Sequence, residues 1–418
     1  MNAAAPGVRE PFSFDWYNLD LDIGISLPGT YRGTDFSNRG TAADPLLRER
    51  VDNFLFVHGA AMLQLGEFGA AITTELLRYN LTPTANDTPG LVLNYARFHV
   101  ATAYGFAGNQ IVLGGGLRVI ALQIGQEGGG QLSNPVLTMA GAAPEIGFVY
   151  KPDNRAWRIG ATVRAPVNGK TAGSSQATRD EAGVERAGPF ILPSRVIAPW
   201  ELEAGFAFQL GARPLNPPWL NPHDQERPMV DATFAARAVR KNEQAALIAE
   251  APPAERAAKK TELAVGEKAI RAVEQARLDE ESSRLTAARR ARDKNWPRER
   301  ILLLASLLVS GPSTDAVALE GFLEQKREFV GARVDLSPRL GIESEPLPNW
   351  LRVRAGTYLE PSRYSDGFPR QHFTFGGDVK LFPFDLFGFL PDRTWRLTVS
   401  GDLAPRYTNF GLGISAWH

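Results

Sequence analysis

Apolar and polar residues alternate through "RAWRIGATVRAPVNGKTAG", Arg155 to Gly173. Trp157, Ile159, Ala161, Val163 and Ala165 fall on one parity, and Arg158, Gly160, Thr162 and Arg164 on the other. A period of two puts the two sets on opposite faces of a β-strand. Alternating or apolar segments recur along the whole chain. The pattern predicts strands at 12–29, 51–65, 67–79, 90–106, 109–124, 143–152, 155–168, 197–212, 299–311, 328–339, 349–360, 370–383, 393–403 and 407–417. That makes about 14 strands rich in Val, Ile, Leu and Phe, with turn residues between them.

The links sort by length. "GEF", "AGN" and "KPDN" are hairpin turns, whereas 30–50, 80–89, 125–142 and 169–196 are long. Short and long links alternate, as in an up-and-down membrane barrel with short turns at one end and long loops at the other. Loop parity of this kind has no cause in a soluble sandwich.

The faces sharpen the choice. In "WELEAGFAFQL", Trp200, Leu202, Ala204, Phe206, Phe208 and Leu210 oppose Glu201, Glu203 and Gln209. In "WLRVRAGTYL", Leu351, Val353 and Leu359 oppose Arg352, Arg354 and Tyr358. In "HFTFGGDVKLF" and "TWRLTVSGDL", the apolar face opposes Asp378, Lys380, Arg396 and Asp402. Charges of both signs are too costly to bury unpaired. A wet lumen with cross-strand pairs accommodates them, with Arg158 and Arg164 beside Glu201 and Glu203. The apolar faces then meet a hydrocarbon band of about 25 Å. Trp157, Trp200, Trp350, Trp395 and Trp417 sit near strand ends, where an interfacial aromatic girdle belongs.

One segment breaks the pattern. Residues 229–295 are rich in Ala, Glu, Lys and Arg, and Pro252–Pro253 divides them into predicted helices at 229–250 and 254–293. The second would be roughly 60 Å long. Its sparse apolar stripe of Leu263, Ile270, Val273, Leu278 and Leu285 suits a helical hairpin or a partner seam. A solvated helix held by pairs such as Glu267–Arg271 accounts for it equally well. By loop parity the insert leaves the barrel on the short-turn, periplasmic side.

Composition narrows the class further. The 418 residues carry zero formal net charge, which gives no reason to expect nucleic acid as a partner. The absence of cysteine removes disulfides and thiolate metal sites. Mean hydropathy is −0.20 and no long apolar run is present, so no helical span is expected.

The residues also resemble the FadL/TodX family of outer-membrane transporters for long-chain fatty acids and other hydrophobic compounds. The resemblance rests on "WRIGATVRAPVNGKTAG", on "ILPSRVIAPWELEAGFAFQLGARP" and on the tail "RAGTYLEPSRYSDGFPRQHFTFGGDVKLF". It covers most of 1–212 and 299–418, and it implies a 14-strand barrel in the bacterial outer membrane. The opening "MNAAAPGVRE" is similar to the end of the family's N-terminal hatch, with Asn2 followed by Ala3 and Ala4 in place of Asn-Pro-Ala. This makes 1–11 a hatch remnant, 12–212 and 299–418 the barrel, and 213–298 an insert foreign to the family pattern. The chain ends in His418, where an assembly signal has Phe.

Catalytic motifs are absent. Asn168-Gly169-Lys170-Thr171 lacks the first Gly of a phosphate loop, and the glycines of "LGGGLRV" are adjacent rather than spaced for a dinucleotide. His58, His99, His223, His372 and His418 form no metal-ligand pair. Glu201 and Glu203 read as lumen charges, not as catalytic acids. No enzyme, cofactor or metal is expected. "FLFVHGAAMLQL" puts Phe54, Phe56, His58 and Met62 on one parity, and an inward apolar patch near Arg164, Arg352 or Arg354 could hold a fatty-acid tail and carboxylate. The predicted fold is an all-β transmembrane barrel with an inserted α-helical hairpin. The predicted function is passive uptake of hydrophobic small molecules such as long-chain fatty acids, with membrane lipids and the ligand as partners. Two alternatives stay open: a barrel that docks an envelope assembly through a periplasmic partner bound at 229–295, and a soluble β protein with a coiled-coil arm.

Overall fold

A computed structural model of the chain describes residues 2–9, 16–27, 35, 37–39, 49–83, 90–126, 135–173, 178–179, 185–187, 190–313, 316–318, 322, 325, 328–365, 367–385 and 393–417. His418 lies outside the described residues. Fourteen antiparallel strands form a closed ring. They are β1 (Tyr17–Ser26), β2 (Glu49–Leu65), β3 (Phe68–Pro83), β4 (Leu91–Phe106), β5 (Ile111–Gln126), β6 (Pro135–Tyr150), β7 (Trp157–Arg164), β8 (Glu201–Leu210), β9 (Ile301–Ser310), β10 (Asp335–Leu347), β11 (Leu351–Glu360), β12 (Arg370–Pro383), β13 (Thr394–Ala404) and β14 (Tyr407–Ala416). Closure is made by β1 and β14, with Asp22 opposite Ser415 and Ser26 opposite Gly411.

The register fixes which face is which. Arg164 opposes both Glu145 and Glu201, and Asp378 opposes both Arg352 and Thr398, so these residues share the inner face. Their neighbours on the other parity are bare: Ile146 is 67% exposed and Leu340 62%, while Glu145 is 1% and Asp378 0% exposed. Apolar outside with charge inside reverses the order of a soluble core. The ring also leaves no open edge, so the wall's backbone groups pair between strands, as hydrocarbon requires. The chain is a transmembrane β-barrel, and no helix among its described residues is long and apolar enough to cross a membrane.

The strand positions differ from expectation in three places. β6 begins at Pro135 rather than at the predicted 143, because "PVLTMAGA" lacks the alternation of the other strands, and it runs on through Pro144. Pro144 is accommodated beside a gap in the β6–β7 ladder, where the pairs Glu145–Arg164 and Met139–Thr171 differ in register by one residue. The next strand stops at Arg164 before Pro166 and resumes as Val167–Gly173, and Arg195–Ala198 is likewise cut from β8 at Pro199. β10 spans Asp335–Leu347, not 328–339. Phe329–Val330 instead pairs with Ala316–Val317 in a small ribbon apart from the ring.

After β8, residues 211–218 fold back on the β6–β7 turn. Asn216 Nδ2 donates to the carbonyls of Pro152, Arg155 and Trp157 at 3.2, 3.1 and 2.7 Å. The connection to β9 leaves from the end of the ring that also carries the short turns after β2, β4 and β6.

A second compact unit contains residues 219–296. Its helices are α1 (Pro222–Glu250) and α2 (Arg256–Lys294). α1 starts before the predicted 229 because Pro222 stands at the first helical positions, where a missing N–H costs nothing, and Asn221 caps it by accepting from His223 N at 3.0 Å. The helices meet along a largely polar seam. Arg237 Nε donates to Glu274 at 2.7 Å, Arg240 reaches both Glu274 (2.6 Å) and Glu267 (3.3 Å), and Arg289 donates to Gln225 at 2.7 Å. Glu267 also pairs with Arg271 at 2.9 Å. Val265 and Val273 of α2 stay 67% and 62% exposed.

The seam carries a pH dependence. Hydrogen bonds from Arg271 and Arg240 hold the Glu267 carboxyl below its ordinary range, and those from Arg237 and Arg240 do the same for Glu274. A carboxyl depressed in the folded state stabilises above its unfolded pKa, near 4.3, and loses that contribution as pH falls further through the folded value. Spin labels at Asn242 and Lys268 are therefore expected to give a narrow distance distribution at pH 7 that broadens below about pH 4. An unchanged distribution at pH 3 would show that the seam does not depend on these carboxylates.

Candidate functional site

The lumen is the candidate site, and different stretches of chain fill its two ends along one side. At the short-turn end, residues 2–9 lie against the inner faces of β2 to β7 around a 3-10 turn, Ala5–Gly7. Gln64 Nε2 donates to the carbonyls of Pro6 and Val8 (2.8 and 2.9 Å), Asn109 Nδ2 to Gly7 O (2.7 Å), and Lys151 Nζ to Arg9 O (2.7 Å). Asn2 Nδ2 donates to Phe148 O and Ala161 O. The approach is close because the wall offers glycine there. A Cβ on Gly114 would stand 2.1 Å from Ala3 O, and one on Gly69 1.9 Å from Pro6 O.

Half-way up, a charged belt crosses β3 to β10. Arg97 Nε donates to Glu75 at 2.8 Å. Glu145, with no exposed side-chain surface, lies 2.9 Å from His99 Nδ1 and 3.6 Å from Arg164 Nε. Arg164 donates to Glu201 and Glu203, both at 3.1 Å, and Arg339 lies 3.5 Å from Glu203. Arg118, 1% exposed, pairs with Glu201 at 3.0 Å.

Above the belt the inner wall turns apolar. Phe54, Tyr79, Leu91, Leu93, Ile124 and Leu137 project inward from β2 to β6 and are buried together with Ala187, Phe190 and Leu192 of the β7–β8 connection. Phe54 stacks on Tyr79 at 5.1 Å. Strand alternation does not single these residues out, because both parities are apolar in "LVLNY", "VIALQI" and "PVLTM". That loss of alternation is itself the sequence signal of a wall apolar on both sides.

The arc from β7 to β14 is more open. A cavity of about 500 Å³ is lined by Arg158, Gly160, Thr162, Glu203, Leu304 and Arg339, among others. A second of about 420 Å³ is lined by Leu304, Glu343, Arg354, Gly356, Ser400 and Asp402, among others. Small inward residues such as Gly160, Gly205, Gly341 and Gly356 widen the lumen here. Toward the short-turn end, a second charged cluster forms around Asp378. It accepts from Arg354 (3.0 and 2.7 Å), Arg396 (3.0 Å) and Thr398 (2.9 Å). Arg352 lies 3.7 Å from both Asp378 and Glu343, and Arg354 also donates to Glu343 at 2.7 Å. Lys380 sits half-buried opposite Arg396. Toward the long-loop end, Asp402 accepts from Tyr358 (2.7 Å) and lies 2.8 Å from His372 Nδ1, whose Nε2 is 2.8 Å from Glu360.

The residues singled out as ligand contacts do not form one cluster. Phe54 lies in the upper apolar wall, with Phe56 half-buried and 6.0 Å from the ring of His58. His58 faces Asp22 of β1 at 3.4 Å. Arg164 sits in the first belt, and Arg352 and Arg354 sit in the cluster around Asp378. Among the described residues no group of three or more His, Asp or Glu could hold a metal.

No family model matches this chain, and no curated protein matches it. Solved structures do. The similar structures include hydrocarbon channels. The Pseudomonas putida toluene transporter TodX has TM-score 0.46 and 10% identity, over 100% of this chain and 91% of its own. The CymD monoaromatic hydrocarbon channel has TM-score 0.44 and 8% identity, over 99% and 91%. A Pseudomonas aeruginosa FadL homologue has TM-score 0.47 and 9% identity, over 99% and 93%.

Two substitutions test this anatomy. Glu145→Ala leaves the buried His99 without its carboxylate, while Arg164 keeps Glu201 and Glu203, so it is expected to cost about 1–3 kcal/mol in denaturant unfolding from lipid vesicles. Glu203→Ala, whose side chain is 25% exposed, should cost roughly 1 kcal/mol or less. Equal losses would show that the belt does not centre on Glu145. Separately, Gly114→Val should push residues 2–9 off the wall. Arg9, now 1% exposed, would then become a trypsin site, read by mass spectrometry of the released peptide. Continued protection of Arg9 would show that the contact is not obligatory.

Proposed function

We propose that this chain is an outer-membrane channel for the passive uptake of hydrophobic small molecules, long-chain fatty acids being one class. The observation that carries the reading is the apolar inner wall of β2 to β6. A barrel that only spans a bilayer needs apolar residues outside, and its water-filled inside favours polar ones. Each large apolar side chain kept from luminal water is worth about 1.5–3 kcal/mol, so the inner wall is a built apolar surface. The cavities beside it fall within the usual range for ligand sites, roughly 300–1,000 Å³.

In this reading the long-loop end is extracellular and the insert hangs in the periplasm. Residues 2–9 plug the periplasmic end, and the ligand moves down its own gradient with no energy coupling inside the chain. A carboxylate head is best met by Arg339 and Arg354, whose side chains are 43% and 36% exposed, rather than by the buried Arg164 and Arg352. Proteoliposomes carrying the barrel are expected to take up oleate several-fold faster than empty liposomes, with no gain for a sugar of similar mass. Equal oleate rates would end the channel reading.

One observation favours a second role. Val265 and Val273 on α2 and Phe234 on α1 stand 60–67% exposed, as a docking face for a periplasmic protein would require. Deleting 229–295 should leave oleate uptake intact under the channel reading. Loss of a partner pull-down with uptake preserved would assign the insert to docking.

A further inference from the structure

Arginines crowd the short-turn end of the lumen, below the second cavity. β8 ends at Leu210, and Gly211, with φ +111°, reverses the chain. A Cβ there would stand 2.6 Å from Glu299 O, so the reversal needs glycine. The backbone is held on both sides of Arg213. Gln209 Nε2 donates to Arg213 O, and Asn216 is bound to the β6–β7 turn. From this fixed point the Arg213 side chain, 13% exposed, reaches Glu345 of β10, with Nη1 3.5 Å from Oε2.

Glu345 is a poor partner for it. Its Oε1 already accepts from Asn349 N in the β10–β11 turn, and Arg213 Nη1, though buried, donates no hydrogen bond to the protein. Cations surround the pair. Arg300, Arg298 and Arg352 all lie close enough to repel Arg213. Arg300 donates to Glu343 at 2.5 Å, and Arg352 lies 3.7 Å from the same carboxylate and 5.0 Å from the ring centre of Trp417. Burial, and then these like charges, push the Arg213 guanidinium down to about 10 against the pull of Glu345. At that value it is still charged at neutral pH, so the repulsion persists. Asp378 offers little relief, because Arg354, Arg396 and Thr398 already donate to it.

We propose that Arg213, Arg298 and Arg300 form a binding site for a phosphate group at the short-turn end of the lumen. With Arg352 they outnumber Glu343 and Glu345, so an added anion relieves repulsion. A guanidinium presents its donors as a planar fork that matches the oxygens of a phosphate. A phosphate dianion brings twice the charge of a carboxylate to the same arginines. The cavity of about 420 Å³ is lined by Glu343 and Arg354 of this cluster, which gives the group a way in from the lumen. Free phosphate and the headgroup of an anionic phospholipid carry the same chemistry. The site does not depend on the channel reading.

In phosphatidylcholine nanodiscs at low ionic strength, calorimetry with inorganic phosphate is expected to show one saturable site on the full chain. Arg213→Gln should weaken it about tenfold or more. Lys241→Gln, which removes an exposed charge on α1, should bind as the native chain does. Heat-modifiable migration checks that each variant is a barrel. Should Arg213→Gln fail that check, Arg298→Gln, at a half-exposed position, takes its place with the same expected loss. Phosphatidylglycerol in the discs should suppress the phosphate signal if a lipid headgroup occupies the site, and leave it intact if free phosphate does. Equal phosphate binding by the native chain and the folded arginine variant would overturn the site, as would no saturable binding in phosphatidylcholine discs. Oleate binding lost in the arginine variant, with no phosphate binding by the native chain, would assign these arginines to a carboxylate instead.

Discussion

Arg164 and Arg118 set the plan of the lumen. Each is buried and charged, and each can be there only because carboxylates of other strands meet it: Arg164 from the strands on both sides, Arg118 from Glu201 of β8. Arg164 draws Glu145, Glu201 and Glu203 together across β6, β7 and β8. Arg118 adds something a simple ion pair does not: it binds two backbone carbonyls at the proline breaks. The belt is thus both an electrostatic partition and the support of an inward bend. Below it the wall is small and receives residues 2–9. Above it the wall is apolar and receives Phe190.

The outer half of this architecture was legible in the chain. A membrane barrel must alternate where one face meets lipid and the other meets water, and "WELEAGFAFQL" or "WLRVRAGTYL" can hardly do anything else. What escaped was the place where the two faces agree. Leu91, Leu93, Ile124 and Leu137 are inward, but their neighbours are apolar too, so parity carries no information there. Prolines misled in both directions. Pro222 opens α1 seven residues before the predicted start, while Pro166 and Pro199 break strands predicted to run through them and are matched across a hairpin. His99 and Arg118 belong to the belt, yet the residues that complete it lie far away in sequence, and no local spacing announces them.

The lumen is asymmetric around its circumference. β2 to β7 are covered on the inside by other parts of the same chain, whereas β7 to β14 face cavities behind a lining of glycine, serine and threonine. Two adjacent environments result, one apolar and filled, one polar-edged and open. In the proposed channel reading, a molecule passing from the first to the second leaves contacts with Leu and Phe for contacts with small residues and with arginines already bound to carboxylates. Neither environment alone resembles a high-affinity trap, which suits a conduit better than a store.

The glycine contacts of residues 2–9 also bear on the order of assembly. The wall residues that bond to this segment, Gln64, Asn109, Phe148, Lys151 and Ala161, all lie in the first 161 positions. Among the described residues none of these partners belongs to β9–β14, so the segment can settle onto a partly built sheet before the ring closes. Docking it early avoids threading a peptide into a finished cylinder, and it shortens the chain loops that must be closed while the later strands are still unpaired.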